Sequence, residues 1–487
     1  MATPTKIFEL KGEDFAKGLS HKTYFPIGGI FSGAGNFDPF EDYGYFLGSL
    51  ATVVTDNSIT STPTVLTSWN NAGTAYIYSH TPTKLYQVLD GSPYTTTDVS
   101  AQITVTNPVS GATIWKGRYI YHDNVASILR SNTLPVAIGS NTTILSGFAT
   151  TEYYHPMAIG ADKNLYIADY GRIARCILET GTTGNSANYY QLEDYMAVRD
   201  LVNDGKYLVV IADNNASFKI GSTGARGNYR CQVLFYDVNS GRSTADYIYE
   251  FNDSYLISVK YLDGVIYIIG KENMWACNSV TPPKSIFSFD SNSTITEVPT
   301  SPFQVTQNKN SIYWCGQTNG KIYAFGSLVS GTKKVFYQPY SSTGATPSAI
   351  TTNGTNFYIG TSGSNQMLGI TNTGSTRDTS TFAQTSVFLP QSYTFAFVKV
   401  IMKNKLSSGG TVTCLVNSLV GNGVVSNTES KSFTAIGAKQ SILFNLNVGG
   451  VSTEKVFNDF KLTIGSNQAI ARVELWAFPV ESYEQAV

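Results

Sequence analysis

The side chains best suited to chemistry are few in this sequence and stand apart from one another. Four histidines, His21, His80, His122 and His155, each occur alone, so none belongs to an HxH or HExxH spacing that holds a metal ion. His80 and His122 both come just after the apolar run of a strand pattern, which reads as a polar turn position, with a rim or a central channel as the alternative location. The most noticeable carboxylates are Glu41-Asp42, Glu193-Asp194 and Glu272; a glycoside hydrolase needs two such groups held across a cleft, and spacing along the chain does not define that. The five cysteines, Cys176, Cys231, Cys277, Cys315 and Cys414, are widely separated, odd in number and without a CxxC pair. They read as buried strand residues of a chain made in a reducing compartment, not as a disulfide framework or a zinc site. Gly28-Gly29, Gly409-Gly410 and Gly449-Gly450 lack the Lys and Ser/Thr of a phosphate cradle and read as turns, and no GxSxG occurs. The sequence therefore assigns no catalytic, cofactor-binding or metal-ligating residue, and the expectation is a protein that is not an enzyme.

What must position these residues is a β framework. The 487 residues include 31 Tyr, 26 Phe and 43 Gly, a composition of pleated strands and tight turns. Basic and acidic residues number 33 and 34, so no electrostatic footprint for nucleic acid or an anionic membrane is present. Met1 to Leu10 has no apolar h-region and no stretch of 18 apolar residues appears, so neither a signal peptide nor a membrane anchor is expected.

A repeat runs through the middle of the chain: an apolar strand with an aromatic, a polar turn, and a second apolar strand. Ala75-Tyr76-Ile77-Tyr78, Leu165-Tyr166-Ile167-Ala168-Asp169 and Ile312-Tyr313-Trp314-Cys315 are three of seven copies. The aromatics Tyr76, Tyr119, Tyr166, Tyr207, Tyr267, Tyr313 and Tyr358 mark them, with gaps of 43, 47, 41, 60, 46 and 45 residues. Such a period is that of a four-stranded propeller blade, and the one long gap holds a polar insertion, Asn214 to Arg230, expected on a rim loop. Tyr76, Tyr119, Tyr166, Tyr267 and Tyr313 are expected at equivalent positions, packed between blades, and Trp69, Trp115, Trp275, Trp314 and Trp476 in or beside apolar strands. From about Thr385 the strands lengthen and alternate, as in Tyr393 to Met402 and Ala471 to Phe478, which reads as a small antiparallel sandwich. Tyr393 to Met402 could instead close the ring. The expected plan is all-β: an N-terminal extension leading into the first blade (1–50), a propeller of about seven blades (51–384) and a C-terminal β-sandwich (385–487).

Two resemblances follow from particular residues. His155 to Ile177, with Pro156 to Ile159, Asp162-Lys163-Asn164 and Leu165 to Asp169, resembles the repeat of NHL-type propellers, which implies fold alone. In the head, Phe15, Gly18 and Leu19, then Pro26, then Asn36, Asp38 and Pro39, then Gly44 to Leu47 keep the order of a motif set. That order resembles the opening of propeller-bearing tail proteins of tailed bacteriophages, although Lys17 stands where the family has a glycine. The resemblance implies a nozzle or tail-hub component of the virion, made in the host cytoplasm and self-associating into a ring, a hexamer in the family, around the DNA exit channel. It further implies contact with other tail or portal-adaptor proteins, passage of DNA without specific binding, and no cofactor. A host-receptor or carbohydrate-binding propeller remains the alternative, with an exposed aromatic pocket on one rim, and a propeller hydrolase the third reading.

Overall fold

The computed structural model describes residues 4–11, 33–35, 52–56, 58–91, 93–100, 110–123, 128–137, 140–148, 154–193, 195–214, 230–289, 298–316, 321–327, 334–341, 346–362, 367–371, 382–403, 410–417, 427–433, 441–445, 457–466 and 469–479. Seven four-stranded antiparallel sheets account for the middle of the chain. Their second strands are Thr74–His80, Arg118–Asp123, Leu165–Asp169, Tyr207–Asp213, Val265–Gly270, Ser311–Cys315 and Asn356–Ser362, and each contains one of the seven marker aromatics. We number the blades 1 to 7 in that order.

The first strands form the inner ring. Val65–Asn71, Ala112–Trp115, Met157–Ile159, Ala197–Asn203 and Leu256–Leu262 lie side by side in succession. Leu256–Leu262 next meets the short 3-10 turn Pro302–Gln304 that leads into Val305–Asn308, and Thr346–Thr352 then packs on both Val305–Asn308 and Val65–Asn71. The ring is thereby complete, a seven-bladed β-propeller. Its closure is made by Thr52–Asp56, which leaves the head of the chain to become the outermost strand of blade 7, beside Met367–Thr371.

Blade geometry follows from local sequence. Between first and second strands, Ala72-Gly73, Lys116-Gly117 and Asp263-Gly264 have positive φ at both positions, the condition for a two-residue type I′ hairpin whose twist matches its strands. The second strands are buried on both faces, which explains why they read as continuous apolar runs. In Tyr207–Asp213 every residue is buried. Leu208, Val210 and Ala212 pack with Tyr166, Ala168 and Ile173 of blade 3, whereas Tyr207, Val209 and Ile211 pack with Val259, Ile266 and Ile268 of blade 5. Because the side-chain period is two, a one-residue offset reverses the neighbour a residue meets. Tyr119 accordingly joins Tyr78 in the seam with blade 1, while Tyr166 joins Tyr190 and Leu201 in the seam with blade 4. Tyr119 and Tyr166 thus pack between blades as expected, but they are not equivalent in direction.

The long strand Phe382–Met402 serves two sheets. Its first half pairs with Phe457–Ser466 and with Gly33–Gly35; its second half pairs with Ile470–Pro479 and Ser441–Asn445. The register shifts between Phe388 and Tyr393, where Pro390 has no N–H to give to the ladder. Gly410–Asn417 and Asn427–Phe433 extend the first sheet. A single core is drawn from both: Val412, Cys414, Leu462 and Ile464 from one, Val398, Val400, Phe444, Val473 and Leu475 from the other. This is a β-sandwich in which one strand changes sheets at a bend. Thr5–Lys11 pairs with Ile470–Pro479, placing Leu10 opposite Val473 in the same core. The head thus contributes two strands to the sandwich, and Tyr393 to Met402 belongs there rather than to the ring. The chain divides into two compact units, residues 53–322 with 342–371, and residues 1–52, 323–341 and 372–487.

Candidate functional site

In each blade the end of the second strand pairs with the start of the first: His80 with Val65, Asp213 with Ala197, Gly270 with Leu256. At this end of blades 1 to 4 the second strands close on buried His80, His122-Asp123, Asp169 and Asp213. Asp123, Asp169 and Asp213 each terminate an apolar second strand there, and all three are buried.

Between blades 2 and 3 the rings of His122 and His155 lie 3.9 Å apart, with Phe148 edge-on to both at 4.7 and 5.3 Å. His155 Nδ1 is 2.7 Å from the Ala168 carbonyl, which assigns the proton to Nδ1, and His122 Nδ1 is 2.9 Å from Ser110 Oγ. The Asp169 carboxylate stands 4.0 Å from His155 Nδ1 and accepts from Arg172 Nε at 2.6 Å. Gly111 lies so close under the His155 carbonyl that a side chain has no room.

Between blades 4 and 5 the acids act as clasps. Arg199 Nη2 donates to Asp213 Oδ1 at 2.6 Å, and Asp213 Oδ2 accepts the Leu256 N–H of the next blade at 2.8 Å. Asp200 Oδ2 accepts from Ser258 Oγ at 2.6 Å, from the Val259 N–H at 2.9 Å and from Lys260 Nζ at 3.1 Å. Asp253 accepts the N–H groups of Ser254, Glu272 and Asn273 and Trp275 Nε1–H. Burial raises its pKa and these donors oppose the rise. Glu272 in turn accepts from Ser254 Oγ.

His80 corrects the sequence reading. It and His122 are neither turn residues nor channel residues; both lie within strands and are wholly buried. The His80 ring stacks on Tyr119 at 5.5 Å and tilts against Tyr121 at 6.0 Å, and neither ring nitrogen has a hydrogen-bond partner among the described residues. Burial pulls its pKa down to about 3, so it stays neutral and behaves as one more aromatic in the seam. None of the five cysteines is in a disulfide and all are buried on strands as expected, and burial pushes the thiols of Cys176 and Cys277 up to about 12. Trp115 and Trp314 are buried, and Trp69, Trp275 and Trp476 partly so.

On the rim of blade 4, Glu193 and Glu250 flank Arg230, whose Nη1 reaches Glu193 Oε2 at 2.8 Å and whose Nε reaches Glu250 Oε1 at 2.8 Å. Asn214 and Arg230 close the base of the expected insertion through N–H to carbonyl and N–H to amide contacts of 3.2 and 2.9 Å. The body of that insertion, His21, Glu41-Asp42, Asp194, the glycine pairs Gly28-Gly29 and Gly449-Gly450, Gly409, and the head motifs from Phe15 to Leu47 lie outside the described residues. Among the described residues no group of three or more His, Cys, Asp or Glu is arranged to hold a metal ion. No helix among them is long and apolar enough to cross a membrane.

The architecture has counterparts among solved structures. A streptogramin B lyase structure superposes with a TM-score of 0.47 at 12% identity, over 66% of this chain and 97% of that one. The Pan2 WD40 domain of Neurospora crassa gives 0.45 at 7% identity, over 68% and 97%. The extracellular domain of BT4673, a putative one-component system from B. thetaiotaomicron, gives 0.45 at 9% identity, over 94% and 63%. Likenesses of this degree carry no functional argument. No protein-family model and no curated protein matches the sequence.

The clasp residues Arg199, Asp200, Asp213 and Asp253 escaped the sequence reading. The recurrence of Asp at the ends of apolar strands, at 123, 169 and 213, was the available signal.

Proposed function

We propose that this β-propeller protein is a structural component of a bacteriophage tail, a nozzle or hub subunit that self-associates into a ring around the DNA exit channel and catalyses no reaction. The observation that carries the proposal is the use made of the reactive side chains. Asp200, Asp213, Asp253 and His155 direct their polar atoms at backbone and side-chain groups of their own or the next blade, stiffening the seams. A rigid disc with many loops suits a part that is docked on several sides. The order of motifs in the head supports the tail assignment, and the near-neutral charge suits a wall that lets DNA pass without holding its phosphates. In this reading the protein resides in the virion and meets other tail or portal-adaptor proteins there.

The test is the mass of the purified full chain by light scattering, with negative-stain imaging of the same sample and of any particle that copurifies. A closed ring, or density at a particle's tail, supports the proposal. A monomer that never associates, alone or with particles, overturns it.

A further inference from the structure

Three of the four histidines border blade 2, and each of the three is wholly buried. His80 ends Thr74–His80 of blade 1 and lies against Tyr119 and Tyr121 of blade 2, at 5.5 and 6.0 Å between ring centres. On the other side, His122 of blade 2 meets His155, which leads into Met157–Ile159 of blade 3, with ring centres 3.9 Å apart. Among the described residues no other seam contains a histidine.

Neither place receives a proton easily while its seam is closed. The groups facing His80 are phenols, Tyr119 and Tyr121 across the seam and Tyr78 on its own strand, and burial raises the pKa values of Tyr78 and Tyr119 so that both stay neutral. Burial alone lowers the His80 pKa; no charged group among the described residues acts on it. An imidazolium there is a desolvated charge without a counter-ion. At the second seam a proton on one ring repels a proton on the other across 3.9 Å. The carboxylates nearby are already balanced: Asp169, 4.0 Å from His155 Nδ1, by Arg172 at 2.6 Å, and Asp123, next to His122, by Arg130 at 2.8 Å. Arg118, at the other end of the His122 strand, adds a positive charge.

Opening a seam to water removes these obstacles. Each exposed histidine then takes up a proton below about pH 6.5, so packing that is stable above that pH weakens as pH falls. Blade 5 responds with the opposite sign. Burial raises the pKa of Asp253, where that blade begins, so its folded form takes up a proton more readily than the unfolded one.

We propose that blade 2 is an acid-sensitive element of the propeller, loosened from blades 1 and 3 together by proton uptake at His80, His122 and His155 while the other blades stay packed. The device belongs to the propeller itself and is independent of the tail assignment.

The experiment is hydrogen exchange of the full chain at pH 7 and pH 5, read by mass spectrometry and divided by the rate of an unstructured chain at the same pH. At pH 5, Arg118–Asp123 and Ile128–Thr133 of blade 2 should be protected at least tenfold less than Val265–Gly270 of blade 5 and Ser311–Cys315 of blade 6. His80→Phe keeps a ring in the stack and should reduce the loss of protection in blade 2 between pH 7 and 5 about tenfold. His155→Asn keeps a donor for the Ala168 carbonyl and should reduce it at least threefold from the other seam. Equal protection of blades 2, 5 and 6 at pH 5 overturns the proposal, as does a pH dependence in blade 2 that neither variant changes.

Discussion

Asp213 holds Arg199 with one carboxylate oxygen at 2.6 Å and the Leu256 N–H of the neighbouring blade with the other at 2.8 Å. The pair is almost wholly buried, with side-chain exposures of 3 and 0%. A buried ion pair of this kind adds modest net stability, yet breaking it is expensive because a desolvated charge loses its counterpart. Asp213→Ala is therefore expected to destabilise the propeller by about 3–5 kcal/mol, and Arg199→Met combined with Asp213→Leu by clearly less. Urea unfolding of the full chain followed by tryptophan fluorescence checks both.

His80 makes the propeller sensitive to acid. Its folded-state pKa, about 3, lies below the 6.5 of an unfolded histidine, so the unfolded chain takes up a proton first. Stability is full above pH 6.5 and falls as pH drops from there towards 3. Between pH 7 and 5 the loss from this residue comes to about 2 kcal/mol. His80→Phe keeps an aromatic in the stack with Tyr119 and should lose about that much less over the same interval. Equal pH dependence in the two proteins would refute the assignment.

Gly369 and Tyr94 join blade 7 to blade 1. A Cβ at Gly369 would overlap the Tyr94 hydroxyl, and Tyr94 itself packs near Tyr358 at 6.4 Å. Gly369→Ala must displace Tyr94, at a cost of about 1–3 kcal/mol. Once Tyr94→Ala has emptied the space, adding Gly369→Ala should cost little more. Melting temperatures of the two single variants and the double variant read this non-additivity directly.

Tyr195 has φ +68°, and Tyr195→Gly should leave stability unchanged or raise it by up to about 1.5 kcal/mol. Relief of the left-handed strain contributes roughly 1–2 kcal/mol, and the greater freedom of glycine in the unfolded chain offsets about 0.5–1 of it. A clear drop in melting temperature would show that the ring supports the turn.

The blades were legible because their information is local. Tyr207 to Asp213 is apolar on both faces, and Asp263-Gly264 is a hairpin turn wherever it occurs between two such strands. Closure was not legible. Thr52–Asp56 finds its partner at Met367–Thr371 and Thr5–Lys11 finds its partner at Ile470–Pro479, and pairings across such distances leave no mark on either segment alone. His80 was misread because polarity in the sequence argues for a turn, whereas an unprotonated imidazole between Tyr119 and Tyr121 packs as a ring. Arg199 and Asp213 look like any surface pair until both neighbours of their strand are in place.

The pairing of Thr5–Lys11 with Ile470–Pro479 also sets a timetable for synthesis. At about 5–20 residues per second, the ribosome needs roughly 25–90 s after making the first strand to deliver its partner. Throughout that interval the nascent chain carries an orphan strand with its backbone groups unpaired, a template for joining another nascent chain on the same messenger. Lys6, Glu9 and Lys11 on that strand place charges along the waiting segment, the feature that discourages such premature pairing.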